Sequence, residues 1–315
     1  MYKKIKYGLF ASALLICYIS LKTMDSATVQ APIVGEHGMV GPQVTTLLKL
    51  CSIEHDGTLE DVVRKTQTEQ ALGGWIRKPG TERWQIEDKE QYKAHTPAIM
   101  QCFDQLNMCA SIQPHKKKYD YALLLGATVN TVQSRLAYLC ELWRSGIRFD
   151  ELVMLGSDRP LDPSLESIEI LTKAPGMGLT IKKDWEMTTV PRTESEMIDM
   201  VINRVELPAG FATIKITLIN TPNIETSPGV FRRARTGDTI KTWANTNPTP
   251  GSVLAISNQP YVGYQNACIQ TYIPQSFEAE TVGKQAAQEE KLSILFDTLA
   301  RWLWQEQERR KLTTT

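Results

Sequence analysis

A strand–helix–strand pattern between residues 119 and 156 constrains the fold of this chain more than any other feature of its sequence. The apolar run from Tyr121 to Gly126 is followed by a helical stretch from about Thr131 to Ser145 and by a second apolar run from Glu151 to Gly156. Two continuous apolar strands joined by one helix are typical of a βαβ unit, whose strands are parallel and covered on both faces. The pattern therefore predicts a parallel sheet between two layers of helices.

The alternation of helix and strand continues to the end of the chain. The further elements predicted from apolar periodicity are helices near residues 194–205, 236–246, 261–272 and 284–310 and strands near residues 213–219, 252–256 and 277–282. About five strands alternating with helices predict an α/β fold with three layers and a doubly wound, mainly parallel sheet. In the last helix, Leu295, Leu299 and Trp302 are expected to face the core, although Trp302 beside Trp304 is also compatible with a membrane interface.

Residues 43–118 have a helical pattern and precede the α/β domain, which is predicted over residues 119–315. Thr58 followed by Asp61 resembles a helix capping box, and apolar residues recur at helical intervals between Ile86 and Met108. This segment is predicted to be an N-terminal helical elaboration, and it contains no catalytic motif.

The first 22 residues have the order of a signal peptide or an N-terminal membrane anchor. Lysines precede an apolar run from Tyr7 to Leu21, and residues 23–42 are expected to form an unpacked linker. The run is shorter than the roughly 20 residues that span a bilayer, so cleavage and secretion stay open. Because no small-x-small cleavage site is convincing, we favour an uncleaved anchor with the folded domain exported.

Charge and cysteine content argue against two classes of function. Lys plus Arg and Asp plus Glu number 35 each, so no overall positive charge attracts nucleic acid. The six cysteines form no CxxC pair and have no spacing typical of a zinc site. We expect free thiols, with a bridge between Cys102 and Cys109 as the less favoured alternative.

Small polar residues follow three of the predicted strands. They are Gly126, Ala127 and Thr128 after the first strand, Gly156, Ser157, Asp158 and Arg159 after the second, and Ser257, Asn258 and Gln259 after the fourth. Such residues also simply form turns, but parallel strands end at one edge of a sheet, where loops and helix N-termini bind ligands. Their recurrence predicts a ligand crevice at that edge.

The order of six short motifs resembles the DUF218 family of SanA/ElyC/YdcF-like bacterial envelope proteins. The motifs lie between residues 119 and 283 and are Leu123–Gly126, Arg135, Leu155–Asp158, Glu194–Met197, Arg235–Thr239 and Ile256–Asn258. The resemblance implies a divergent member with an α/β domain, commonly behind a membrane anchor, in cell-envelope biogenesis. One member of the family resembles an S-adenosylmethionine binder.

The motifs and the strand ends together give the candidate ligand-binding residues, which are Gly126, Thr128, Arg135, Ser157, Asp158, Glu194, Glu196, Arg235, Thr236, Asp238, Ser257 and Asn258. Guanidinium groups bind phosphate or carboxylate through paired hydrogen bonds, so an anionic ligand is expected. The carboxylates are compatible with a divalent metal, with a ribose hydroxyl or with neutralisation of the arginines. Thr236 and Asp238 are also compatible with a simple helix cap.

The sequence departs from the family after the strand that ends near Ile256. The positions of the family His and Arg hold Tyr261 and Tyr264, and all four histidines precede the α/β domain. Two hypotheses follow: an envelope protein that binds a nucleotide, an S-adenosylmethionine-like molecule or a lipid-linked phosphate, and a non-catalytic relative that binds a protein partner through residues 43–118. The sequence indicates no reaction and no particular cofactor.

Overall fold

Five parallel strands form the central sheet of the protein, which the computed structural model describes over residues 33–35, 37–88, 90–288 and 290–314. The strands of these residues are β1 (Lys118–Leu125), β2 (Arg148–Ser157), β3 (Lys215–Thr221), β4 (Ile224–Ser227), β5 (Val230–Arg232), β6 (Ser252–Asn258) and β7 (Glu278–Lys284). The sheet has the order β3-β2-β1-β6-β7, while β4 and β5 form a separate antiparallel hairpin. The prediction of a doubly wound parallel sheet is confirmed.

Helices cover both faces of this sheet. The described helices are α1 (Pro42–Leu50), α2 (Leu59–Thr66), α3 (Thr96–Gln105), α4 (Val129–Arg144), α5 (Ile168–Thr172), α6 (Glu194–Arg204), α7 (Thr236–Ala244), α8 (Val262–Tyr272) and α9 (Leu292–Thr314). Alternate residues of β1 enter different cores, because successive side chains of a strand point to opposite faces. Ala122 and Leu124 pack with α4 and α6, whereas Leu123 and Leu125 pack with α7 and α8. Burial on both faces explains why the strand is apolar from Tyr121 to Leu125.

Three predicted elements have different bounds in the structure. The third strand begins at Lys215, because Phe211–Thr213 form a 3-10 turn before it. The last helix begins at Leu292 rather than near residue 284, because Lys284 still belongs to β7. Residues 86–108 contain a 3-10 segment followed by α3, with Pro97 in the first turn of the helix.

The N-terminal elaboration and α9 share one hydrophobic core. Phe296 of α9 has its ring centroid 5.0 Å from the rings of Trp75 and Tyr92 and 5.1 Å from that of Phe103. Leu295, Leu299 and Trp302 are buried in the same cluster, as the helical spacing predicts. The elaboration is therefore packed onto the end of the α/β domain through α9.

The predicted linker is packed where the structure describes it. Ile33, Val34 and Val40 are buried with the elaboration, so the expectation of an unpacked segment over residues 23–42 is wrong from residue 33 onward. The predicted anchor, residues 1–22, lies outside the described residues. In the part of the chain that is described, no helix has the length and apolar character needed to cross a bilayer.

The described cysteines are all free thiols: Cys51, Cys102, Cys109, Cys140 and Cys268. The bridge between Cys102 and Cys109, which was the less favoured alternative, is therefore not formed. Cys102 lies within α3 and Cys109 follows the end of that helix.

Candidate functional site

A cavity of about 450 Å³ lies at the carboxyl edge of the sheet. Its walls include residues that follow β1 and β2 and residues of α7 and α8. Strand order reverses between β1 and β6, since β2 continues the sheet on one side of β1 and β6 on the other. This reversal is the point where open α/β sheets bind their ligands. The cavity thus occupies the location that the sequence predicts for a crevice.

Seven of the twelve candidate residues line this cavity, namely Gly126, Thr128, Arg135, Ser157, Glu194, Arg235 and Thr236. Two more support it from behind. The Asn258 side-chain oxygen accepts a hydrogen bond from Arg135 Nε at 3.0 Å, and Ser257 Oγ donates to the side-chain oxygen of Gln265, a lining residue.

The three remaining candidates, Asp158, Glu196 and Asp238, do not line the cavity. Asp158 accepts a hydrogen bond from the Asn220 side chain at 2.7 Å, and the exposed Glu196 accepts one from the Arg192 backbone N–H at 2.6 Å. Within the described ranges, no group of three or more His, Cys, Asp or Glu side chains is placed to hold a metal ion. The metal interpretation of these carboxylates therefore has no geometric support.

Asp238 has the role of a helix cap, which the sequence left open. Its carboxylate accepts a hydrogen bond from the Arg235 backbone N–H at 2.7 Å and pairs with the Arg232 guanidinium at 2.7 Å. Burial opposes ionisation of this carboxyl, but the bonds from Arg232 and Arg235 outweigh burial and lower its pKa. Asp238 thus fixes the start of α7, and with it the position of Arg235 at the cavity.

Arg135 is a buried side chain that links the strand ends through hydrogen bonds, and it is not an exposed ligand contact. It is 2% exposed, and its Nη1 donates to the carbonyls of Leu125 and Gly126 at 2.8 and 2.9 Å while its Nε donates to Asn258. Burial lowers its pKa to about 10, so the guanidinium keeps its charge at neutral pH. Arg135 therefore joins β1 to the end of β6 and adds positive charge to the cavity wall.

The N-terminus of α4 is already occupied by a side chain of the protein. Glu166, which is buried, accepts a hydrogen bond from the Val129 backbone N–H at 3.1 Å and from both terminal nitrogens of Arg159, at 2.8 and 3.0 Å. Burial opposes the charge on Arg159, but the bonds with Glu166 and Glu194 outweigh it and raise the pKa of Arg159. Arg159 is therefore neutralised internally, mainly by Glu166, which was not among the candidate carboxylates, and to a lesser degree by Glu194, which was.

Glu194 is a buried carboxyl that faces the cavity. Ser157 Oγ donates to it at 2.6 Å, and Arg159 Nε lies 3.6 Å from its other oxygen. Burial raises its pKa above the ordinary value of 4.5, and the attraction of Arg159 and the bond from Ser157 offset only part of that effect. Gly126 makes room for this carboxyl, because a Cβ at that position would lie 2.9 Å from the Glu194 carboxyl carbon.

The cavity carries more positive than negative charge. Among the described residues, six arginines line it, against the two carboxylates Glu82 and Glu194. Arg77 pairs with Asp297 at 2.9 Å and Arg233 pairs with Glu82 at 3.0 Å. Among the described residues, Arg83 and Arg235 form no ion pair, and the Nε of Arg83 is buried without a hydrogen-bond partner.

Four residues of the elaboration complete the cavity wall: Arg77, Glu82, Arg83 and Trp84. Their ligand-binding role is not predictable from the sequence, because residues so far ahead of the sheet carry no pattern that places them at its edge. Only the cluster of charged and aromatic residues around the Lys78-Pro79-Gly80 turn is a signal in the sequence. Arg233 and Gln265 were also missed, although both lie close to predicted motifs.

No family model, curated protein or solved structure matches the chain. The residues lining the cavity include Tyr261 and Tyr264 but no histidine. The guanidinium carbon of Arg83 lies 4.0 Å from the centre of the Tyr261 ring, and burial raises the pKa of the Tyr261 hydroxyl. These tyrosines stay neutral at physiological pH and form an aromatic wall beside the arginines.

Proposed function

We propose that this protein binds an anionic small molecule in the cavity at the carboxyl edge of its sheet. The proposal is supported mainly by Arg83 and Arg235. Both line the cavity, and neither forms an ion pair among the described residues. Arg83 is partly buried and Arg235 is exposed. An unpaired charge is costly where it is partly buried, and a phosphate or carboxylate offers paired hydrogen bonds to both guanidinium groups. Such a ligand compensates charges that the protein itself leaves uncompensated.

The first turn of α7 adds to this environment. Thr236 begins the helix and lines the cavity, next to Arg235. The N-terminus of a helix has unpaired backbone N–H groups and a partial positive charge, both of which favour an anion. At α4 the corresponding position is filled by Glu166, so α7 and the two arginines are the expected contacts of the anionic group.

Thermal unfolding with a ligand panel tests this proposal. The panel contains nucleotides, S-adenosylmethionine and polyprenyl phosphates, and at least one is expected to raise the melting temperature of the wild type. Arg235→Ala is expected to abolish that shift. Arg144→Ala removes an exposed arginine from the far end of α4 and serves as the matched control, with the shift retained. A wild type that responds to none of these ligands would contradict the proposal.

We also propose that the chain is a divergent DUF218-like protein tethered to the cell membrane, with its folded domain exported. The ordered motifs from Leu123 to Asn258 support the family, and the lysines followed by the apolar run from Tyr7 to Leu21 support the tether. The full-length chain is expected to stay with membranes after alkaline carbonate extraction, whereas a variant lacking residues 1–22 is not. Recovery of the uncleaved full-length chain in the soluble fraction would contradict the tether.

A second candidate function is a non-catalytic relative that binds a protein partner. It is favoured by Tyr261 and Tyr264, which stand where the family resemblance expects His and Arg, and by the lack of a histidine among the lining residues. Without an imidazole, the commonest acid–base group of enzymes is missing from this wall. The two candidates are separated by the ligand panel, because a partner-binding relative is expected to show no ligand-dependent shift.

A further inference from the structure

We infer that the ligand is a nucleoside phosphate whose base packs against Trp84. This inference rests on the proposed binding of an anion and specifies the rest of the molecule. Trp84, Tyr261 and Tyr264 line the same cavity as the arginines, so the wall offers aromatic faces beside the cationic groups. A ligand that uses both parts of the wall needs a planar ring as well as an anionic group.

Trp84 is adjacent in sequence to the arginine with a buried, unpaired nitrogen. Arg83 and Trp84 belong to the 3-10 turn Arg83–Gln85, and Trp84 is 36% exposed although it lines a cavity. Exposure alone does not mark a ligand site, but an accessible aromatic ring in the wall of a cavity can stack on the base of a ligand. The turn thus presents one residue for an anion and the next for a base.

Two contacts hold this turn in place. Glu82 pairs with Arg233 at 3.0 Å, and the Gln85 side-chain oxygen accepts a hydrogen bond from the Glu82 backbone N–H at 2.8 Å. The segment before the turn is held by Arg77, whose backbone N–H and guanidinium both donate hydrogen bonds to the buried Asp297. Trp84 is therefore presented from a fixed support, which limits the entropy lost when a ring stacks on it.

Glu194 indicates what lies between the anion and the ring. A carboxylate repels a phosphate, so in a cavity rich in arginines it is expected to face a neutral donor of the ligand. Its neighbour Ser157 ends β2, and in dinucleotide-binding α/β folds an acidic side chain near this position accepts hydrogen bonds from ribose hydroxyls. A sugar joined to a base and a phosphate satisfies Glu194, Trp84 and the arginines together.

The cavity is less suited to a long aliphatic chain. Its larger aliphatic lining residues are Leu155, Leu165 and Ile294, and the remaining wall is mainly charged, polar or aromatic. An isoprenoid tail needs a continuous apolar path to recover the free energy of leaving water. We therefore place the nucleoside phosphate ahead of the lipid phosphate, and the experiment compares them directly.

Isothermal titration calorimetry with four diphosphates tests the inference. The probes are inorganic pyrophosphate, adenosine diphosphate, uridine diphosphate and farnesyl diphosphate, which share the anionic group and differ in the attached part. At least one nucleoside diphosphate is expected to bind about tenfold more tightly than pyrophosphate, a difference of about 1.4 kcal/mol. Trp84→Ala is expected to remove that advantage, and Trp84→Phe to retain most of it. Phe231→Ala, which removes an exposed ring outside the cavity wall, is the matched control and is expected to bind as the wild type does.

The outcomes distinguish the nucleoside assignment from the proposed binding of an anion. If pyrophosphate binds as tightly as both nucleoside diphosphates, or if farnesyl diphosphate binds more tightly than either, the nucleoside assignment is wrong while anion binding stands. If Trp84→Ala folds and still binds a nucleoside diphosphate about tenfold more tightly than pyrophosphate, Trp84 does not hold the base. If no diphosphate binds the wild type, both the inference and its basis fail. Should Trp84→Ala not fold, the ligand comparison on the wild type and on Trp84→Phe still decides.

Discussion

At the scale of single residues, the arginines of the cavity divide into those that hold the fold and those that face the ligand. Arg135 donates to two carbonyls and to Asn258, and Arg159 is bound on two sides by Glu166. Arg83 packs on the Tyr261 ring, and neither Arg83 nor Arg235 forms an ion pair among the described residues. Residue type alone does not distinguish these roles, since all four are the same side chain. Their hydrogen bonds do.

Replacement of Arg135 by Met is expected to lower stability strongly. The substitution leaves the Leu125 and Gly126 carbonyls and Asn258 without their donor, and each unsatisfied buried group costs roughly 1–3 kcal/mol. We expect a loss of at least about 2 kcal/mol in the free energy of unfolding, measured with urea. Arg144→Met, on an exposed face of the same helix, is expected to change it by less than about 0.5 kcal/mol. Equal stability of the Arg135→Met variant and the wild type would show that the hydrogen bonds of Arg135 do not stabilise the fold.

Replacement of Glu194 by Gln is expected to have an effect that depends on pH. Because burial raises the pKa of Glu194 above 4.5, the folded protein binds this proton more tightly than the unfolded chain. The stability that the bound proton contributes is full below pH 4.5 and is lost as pH rises through the raised pKa. Gln cannot ionise, so the free energy of unfolding of the variant relative to the wild type should rise as the pH is raised from 4.5 to neutral.

Urea titrations of both proteins at the two ends of this pH range give the measurement. The exposed carboxylate Glu196 lies on the same helix, and Glu196→Gln is the matched control. A difference between the Glu194→Gln variant and the wild type that stays constant or falls with pH would mean that burial does not raise the pKa of Glu194.

At the scale of elements, the sheet was predictable because its strands are buried on both faces. That burial makes β1 and β2 continuous apolar runs, which stand out from the sequence without any knowledge of their neighbours. The ends of elements were less predictable. The start of α9 was placed eight residues early, because the charged residues around Lys284 fit a helical pattern as well as the edge strand β7.

The candidate site was predictable only where it follows local rules. Gly126, Ser157 and Thr236 lie at strand ends or helix starts, and the sequence places such positions at the correct edge. The bond from Val129 to Glu166 joins residues 37 apart in sequence, and no periodic pattern predicts it. For the same reason the sequence could not show that Glu166 already occupies the N-terminus of α4.

One aromatic side chain of α9, Phe296, packs on three aromatic residues of the elaboration. Phe296 is 1% exposed and packs on Trp75, Tyr92 and Phe103. Phe296→Ala is expected to cost about 3–5 kcal/mol in the free energy of unfolding, because a buried ring leaves a cavity that its neighbours fill only in part. Thermal and urea unfolding provide the measurement. Leu312→Ala, at an exposed position of the same helix, is the control, and a similar loss in both variants would contradict the assigned role.

At the scale of the whole molecule, the cavity belongs to two parts of the chain that the sequence separates. The α/β domain supplies the strand ends and the start of α7, while the elaboration supplies Arg83 and Trp84 from residues far ahead of the sheet. The sheet edge alone would leave this side of the cavity open to solvent. The elaboration therefore contributes to both the charge and the aromatic character of the site, and ligand preference is expected to change when its turn is altered.

Binding of an anion between Arg83 and Arg235 is tested most directly by a crystal structure of the full-length protein with adenosine diphosphate or uridine diphosphate, whichever binds more tightly. We predict phosphate oxygens within about 3 Å of both guanidinium groups, the distance of charge-assisted hydrogen bonds. A cavity that contains only solvent at saturating ligand, or a diphosphate bound elsewhere on the protein, would contradict the claim.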